Sequence, residues 1–155
     1  EQEEQEALYY ELQPILRDIL RSYIEIFNRE KIQLKLETTE IIPYFEIEDE
    51  SIISIIGNLI DNAIEEVKGL SEKEHWIKLK IGEGDEQKWL CISNPYSGVM
   101  EMNDNLIKRG VSSRGMNRGM GLYIVNKIAK KYGRNVRVIK DKEFHVRIDF
   151  NKIIH

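Results

Sequence analysis

Residues 57–67 read GNLIDNAIEEV and set Asn58, Asp61, Asn62 and Glu65 at three- and four-residue steps inside an otherwise apolar run. At about 100° per residue these four side chains fall within an arc of roughly 100°. Ile52, Ile56, Leu59, Ile60, Ala63, Ile64 and Val67 cover the opposite side. A face that simply meets water is the plain reading of a lone Asn on a helix. Two of them four residues apart, however, concede helix propensity that Glu or Lys would have kept. A neutral carbonyl oxygen beside carboxylates suits hydrated Mg²⁺, which keeps most of its waters and takes one or two protein oxygens plus phosphates. The polar stripe is a candidate cation site.

A second group of residues suits anions. The stretch RGVSSRGMNRGMGLYIV, residues 109–125, sets Gly119 and Gly121 about the start of a predicted helix. Free backbone N–H groups and the helix dipole favour an anion at such a start, and glycine lets it approach the backbone. Arg109, Arg114 and Arg118 add charge, and Ser112 and Ser113 add hydroxyl donors. Alone, a GxG before a helix is more often a turn. The stretch is neither a GxxxxGK[ST] phosphate loop nor a dinucleotide loop, because no strand directly precedes a GxGxxG.

The elements that must carry these residues follow from apolar spacing. Leu12, Ile15, Leu16, Ile19, Leu20, Tyr23, Ile26 and Phe27 predict an amphipathic helix over about 11–28, with Pro14 tolerable only in a first turn. Ile32–Glu37 alternates as a half-buried strand. Asp49 or Ser51 caps a second helix that runs through Val67 and stops at Gly69. HWIKLKIGEGDEQKWLCIS reads as an antiparallel hairpin turning at Gly84 and Asp85, and RVIKDKEFHVRIDF as another strand pair turning near Asp141 and Lys142. Between them, residues 94–118 lack regularity, and a loop that long inside a compact domain is usually functional or disordered. A third helix, about 119–132, puts Leu122, Val125, Ala129 and Tyr132 on one stripe and ends at Gly133. Helices on one side and a mostly antiparallel sheet on the other predict a two-layer α+β sandwich.

Composition narrows the chemistry. At 155 residues the chain is long enough for one core, and I-, L- and V-rich segments supply it. A net charge of -4 offers no basic field for nucleic acid. The single cysteine, Cys91, excludes an internal disulfide or a cysteine-rich metal site and fits a reducing compartment. No apolar run reaches the roughly 20 residues of a bilayer span, and EQEEQE is unlike a signal peptide. Trp76 and Trp89 read as core or sheet-face residues of the hairpin.

An Asn-bearing helix, a long loop and then RGMGLYIV opening another helix resembles, in order and over nearly the whole chain, the GHKL ATPase superfamily. NLIDNA resembles its N box and RGMGLYIV its second glycine box. GVSSRGMNRGMGLYIV and NLIDNAIEE are most similar to sensor histidine kinases of the peptide quorum-sensing (accessory gene regulator) type. The resemblance implies the Bergerat fold, with a mixed sheet and three helices on one face, and ATP and Mg²⁺ as ligands. It makes Asn62 the Mg²⁺ ligand and Asn58 its partner on the preceding turn, the pair forming the catalytic centre. It surrounds the nucleotide with Asp61, Glu65, Asn94, Gly110, Ser112, Ser113, Arg118, Gly119, Gly121 and Leu122. Gly119, Gly121 and Leu122 would turn N–H groups to the triphosphate, and residues 103–118 would form a closing lid.

Two positions depart from the family pattern. Its first glycine box, DxGxG, is here ISNPYSG, so Asn94 stands where an Asp accepts a hydrogen bond from adenine; an amide oxygen still accepts, without charge. Glu65 stands where many histidine kinases have a lysine near phosphate. Hydrolysing relatives carry a Glu one turn before the Mg²⁺ ligand, whereas Asn58 cannot act as a base, which favours phosphoryl transfer.

His75, His145 and His155 all read as surface or structural. The resemblance therefore implies an acceptor His on a separate dimerisation module, with a response regulator receiving the phosphate next. It further implies a cytoplasmic domain, monomeric by itself, within a dimeric parent anchored in the membrane. Residues 1–30 would be the tail of the link to that module and 31–155 the ATP-binding domain. An anti-sigma or partner-switching serine kinase of the same superfamily, or a catalytically silent nucleotide-binding scaffold, is the alternative.

Overall fold

The computed structural model describes residues 1–96 and 116–151, the side chains of 116–120 and 151 excepted. Three short helices open the chain: α1 (Gln2–Glu11), α2 (Pro14–Ser22) and α3 (Ile24–Arg29). The single helix predicted over 11–28 is thus broken. Pro14 takes the first helical position of α2, where its missing N–H costs nothing. Near the other end, Ser22 Oγ donates back to the Ile19 carbonyl at 2.5 Å, and Tyr23 marks the boundary between α2 and α3.

Strand β1 (Gln33–Thr38) leads through an irregular stretch to α4 (Asp49–Lys68). The hairpin β2 (Trp76–Glu83) and β3 (Gln87–Asn94) follows, then α5 (Met116–Lys131), β4 (Val136–Lys140) and β5 (Phe144–Asn151). One five-stranded sheet runs in the order β1-β2-β3-β5-β4, with β1 parallel to β2 and the remaining pairs antiparallel. The predicted α+β sandwich is the architecture observed. Gly133, at φ 74°, ends α5 in the left-handed conformation, and Arg134 N–H returns to the Ala129 carbonyl at 3.0 Å.

Alternation along the strands sorts the two faces of the sheet. Ile77, Leu79, Ile81, Leu90, Ile92, Val146, Ile148 and Phe150 point to the helices and join Ile52, Ile55, Ile56, Leu59, Ile60, Ile64 and Val67 of α4 in one core. Each such side chain, fully buried, contributes roughly 1.5–3 kcal/mol relative to exposure. Leu12, Leu16, Ile19, Leu20 and Phe27 belong to the same core, so the N-terminal helices pack on it. Two glutamines fasten them further. The Gln5 amide makes both hydrogen bonds to Leu36 of the edge strand, at 2.8 and 3.0 Å, and buried Gln13 does the same for Phe45, at 2.8 and 3.1 Å. Each supplies the two-point pairing that a neighbouring strand would have given.

On the opposite face, Lys35 and Lys78 lie 5.4 and 4.9 Å from the Trp76 ring, and Arg147 lies 4.7 Å from the Trp89 ring. Trp89 faces Gly82 across the β2–β3 ladder. A Cβ at Gly82 would stand 2.3 and 2.6 Å from ring atoms of Trp89 and 2.7 Å from the Thr39 methyl. Gly82→Ala must move the ring off its Arg147 contact, and we expect a loss of about 1–3 kcal/mol. An unchanged urea midpoint would refute this.

Burial works against the Asp149 charge, but hydrogen bonds from Arg147 at 2.9 Å and Arg137 at 2.7 Å outweigh it and hold the carboxyl below its ordinary value of 3.8. A depressed folded-state value adds stability in full above that ordinary value, and the gain disappears as pH falls through the folded one. Asp149→Asn should therefore cost about 1 kcal/mol at neutral pH. It should also flatten the stability profile below about pH 4, which unfolding midpoints across an acid series would read directly.

Candidate functional site

Helix α4 presents its asparagines to α5. Asn58 and Asn62 are half-buried, and Gly121, buried in the second turn of α5, lies directly against both. A Cβ on Gly121 would stand 3.3 Å from Asn58 Oδ1 and 3.4 Å from both amide atoms of Asn62. Two motifs separated by more than fifty residues thus meet backbone to side chain, and only glycine leaves the amides undisturbed.

The Asn58 amide is oriented by its own helix. Its Nδ2 donates to the Ser54 carbonyl at 2.7 Å and approaches Ser54 Oγ at 3.4 Å, so Oδ1 is the atom turned to Gly121. Ser54 was not among the predicted residues, although its place four residues before Asn58 is the spacing at which helix side chains meet. Asp61, exposed, faces another way: its Oδ1 accepts from the Tyr23 hydroxyl at 2.8 Å. Glu65 is exposed, whereas Glu66, unremarked in the sequence, is buried.

Helix α5 starts earlier than predicted, and this corrects one expectation. Only the first four N–H groups of a helix lack an internal acceptor. The N-cap residue supplies the first of them, so in α5 they end at Arg118, and the N–H groups of Gly119, Gly121 and Leu122 all belong to the helical ladder. Gly121 contributes close approach instead, and Leu122, 2% exposed, is a core residue. The side chain of Arg118 and the residues Gly110, Ser112 and Ser113 lie outside what is described.

Asn94 ends β3 with its side chain 2% exposed on the helix-facing side. Its Nδ2 donates to the Pro95 carbonyl at 2.7 Å, an orientation that assigns Oδ1 to any acceptor role. The residue before it, Ser93, is fully buried on the other face at 2.6 Å from His145 Nδ1, and His145 Nε2 lies 3.1 Å from Asp141 Oδ1. His75 meets the carbonyls of Glu30 and Leu70, each at 2.9 Å. Both histidines have structural partners, and His155 lies outside the described residues. Cys91 is buried and unpaired with any other cysteine, and burial pushes its thiol up.

The donor set tests the fit of a cation. Among the described residues no group of three or more His, Cys, Asp or Glu gathers. Two amide groups held against a glycine of the facing helix suit a hard ion that takes few protein oxygens and completes its shell with water and phosphate. Asn58 and Asn62 fit that role. No helix among the described residues is long and apolar enough to cross a membrane.

Comparisons with known proteins agree with this geometry. A 92-residue stretch, 59% of this chain, is 36% identical to the sensor protein CitS of Bacillus subtilis (strain 168), and spans 17% of that protein. The fold is that of the catalytic domain of the histidine kinase ThkA in a nucleotide-free form, with a TM-score of 0.74 at 17% identity, over 90% of this chain and 92% of that one. The Acinetobacter baumannii histidine kinase AdeS is similar over 89% of this chain and 63% of its own, with a TM-score of 0.65 at 20% identity. The profile of the GHKL domain matches residues 46–151, well over half of the chain and spanning both asparagines and Gly121. The chain belongs to the GHKL domain family.

Proposed function

We propose that this chain is the ATP-binding catalytic domain of a two-component sensor histidine kinase, which delivers the γ-phosphate of ATP to a His on a separate module. The observation that carries the reading is the contact of Gly121 with Asn58 and Asn62, which joins the two motifs on which nucleotide binding depends in this family. In this reading Asn62, with Asn58 beside it, holds Mg²⁺. The bound ion supplies neutralisation of phosphate charge and orientation of the leaving group. The free N–H groups in the first turn of α5 face phosphate, and the arginines and serines of residues 109–118 close over it. Asn94 accepts from the adenine amino group through Oδ1 as a neutral acceptor.

Asn58 favours transfer over hydrolysis. An amide has no proton affinity near neutral pH, and its Nδ2 is already engaged by Ser54. The acceptor His belongs to a dimerisation module of the same or a partner chain, a response regulator takes the phosphate from it, and residues 1–30 lead from that module. The parent is a membrane-anchored homodimer in this reading. The similarity of GVSSRGMNRGMGLYIV to the peptide quorum-sensing type supports that subgroup.

Calorimetric titration with a non-hydrolysable ATP analogue, with and without Mg²⁺ and beside a GTP analogue, tests the proposal. Mg²⁺-dependent binding that prefers adenine is the expected result. No binding to either nucleotide would overturn it and leave a scaffold that has kept only the fold.

A further inference from the structure

Tyr23 stands where α2 gives way to α3, outside both asparagine and glycine motifs, yet its hydroxyl reaches α4 at the asparagine face. It lies 2.8 Å from Asp61 Oδ1 and 3.1 Å from the Gly57 carbonyl oxygen. In an α-helix the Gly57 carbonyl is also the acceptor of the Asp61 N–H, four residues on. The single phenol proton goes to Asp61 Oδ1, the nearer acceptor, and is shared with the Gly57 carbonyl, so it touches both ends of one rung of α4, and the next rung joins Asn58 to Asn62. A Cβ at Gly57 would stand 3.6 Å from the Tyr23 oxygen, an ordinary contact, so the hydroxyl lies close against this turn. The ring is half-buried and stacked on buried Phe27, with centroids 5.8 Å apart, so α3 steadies the hydroxyl from behind. Burial, and next the hydrogen bond to Asp61, raise the phenol well above its ordinary titration range and keep it a donor.

We infer that Tyr23 is a positioning residue for the nucleotide site, holding the Gly57–Asp61 turn of α4 so that Asn58 and Asn62 keep their places against Gly121. The inference rests on the ATP-binding reading and adds to it a contact through which the N-terminal helices act on the metal-holding asparagines. Asp61 is, on this account, the receiver of the contact and not a ligand of the nucleotide. A rung held at both ends restricts the rotation and fraying of its turn, and half-buried amides placed by such a turn lose less conformational freedom when they take a cation.

Tyr23→Phe removes one oxygen and keeps the ring. Titrated with a non-hydrolysable ATP analogue, the variant should bind about 3- to 10-fold more weakly than the native chain in Mg²⁺, on the scale of one ordinary net hydrogen bond, and should change less without Mg²⁺. A merely structural tyrosine would lower the unfolding temperature and leave affinity at 25 °C within about 1.5-fold in both conditions, which would overturn the inference. Asp61→Leu removes the same contact from the α4 side, and tests the idea even if the Phe variant loses its fold. A loss equal to that of Tyr23→Phe, with no further loss in the double variant, is expected; a much larger loss for Asp61→Leu that adds to that of Tyr23→Phe would make Asp61 a direct ligand and overturn it. Native protein that binds no nucleotide would instead remove the ATP-binding reading itself. Independent of any ligand, amide hydrogen exchange across 57–65 should quicken in the Phe variant, and exchange identical to native would also overturn it.

Discussion

Asn62→Ala is expected to abolish Mg²⁺-dependent nucleotide binding while leaving the fold in place. Asn62 sits half-buried in the middle of α4, across from Gly121, on the face that meets α5 and away from the face that joins the core. Losing it empties no apolar site, and alanine is the better helix former by up to about 0.7 kcal/mol, so the unfolding midpoint should move little. Affinity is another matter. If the amide oxygen is a direct ligand of the cation that bridges protein and phosphates, its loss should weaken binding at least about 100-fold, or roughly 2.7 kcal/mol. Calorimetry in Mg²⁺ measures this, beside a thermal melt. Affinity equal to native would remove Asn62 from the site.

Gly121→Ala should separate stability from binding in the same direction. In the second turn of α5 alanine is favoured over glycine by about 1 kcal/mol, which on propensity alone predicts a more stable protein. The new methyl, however, would sit 3.3–3.4 Å from Asn58 Oδ1 and the Asn62 amide, tight enough that those groups must give by a few tenths of an ångström. They are the groups whose placement the site needs. Nucleotide affinity in Mg²⁺ should fall about 10-fold, since small misplacements at a preorganised site are costly. The midpoint of unfolding should hold or rise. A stable variant with native affinity would show that the asparagines yield freely and that close approach at Gly121 is incidental to binding.

These two substitutions also show how the site is written into the chain. The asparagine face could be read beforehand because a helix repeats its side chains every 3.6 residues, so a polar stripe in an apolar run must lie on one side. The end of α4 at Gly69, the hairpin turn near Gly84 and the stop of α5 at Gly133 were legible for a similar reason, since each rests on local backbone chemistry. The N-terminal helices were less so. Their apolar period runs through Pro14 and Tyr23 almost without interruption, and the breaks depend on the Ser22 back-bond and on the docking of Gln5 and Gln13 to backbone far along the chain. The start of α5 was misplaced because Gly119 and Gly121 look like helix breakers, while the close packing of Gly121 on α4 favours the helix there.

By itself the sequence determined the element types, the two-layer class, the core stripes and the placing of Asn58 and Asn62 on one helix face, because these depend on period and propensity within short windows. Tertiary structure alone decided which groups meet. It set Gly121 on the asparagines, gave Asp61 to Tyr23, and put Ser93 on His145 across β3 and β5. Such contacts join residues from 38 to more than 60 positions apart, and their geometry follows from how sheet and helices close on a common core, which no local window contains.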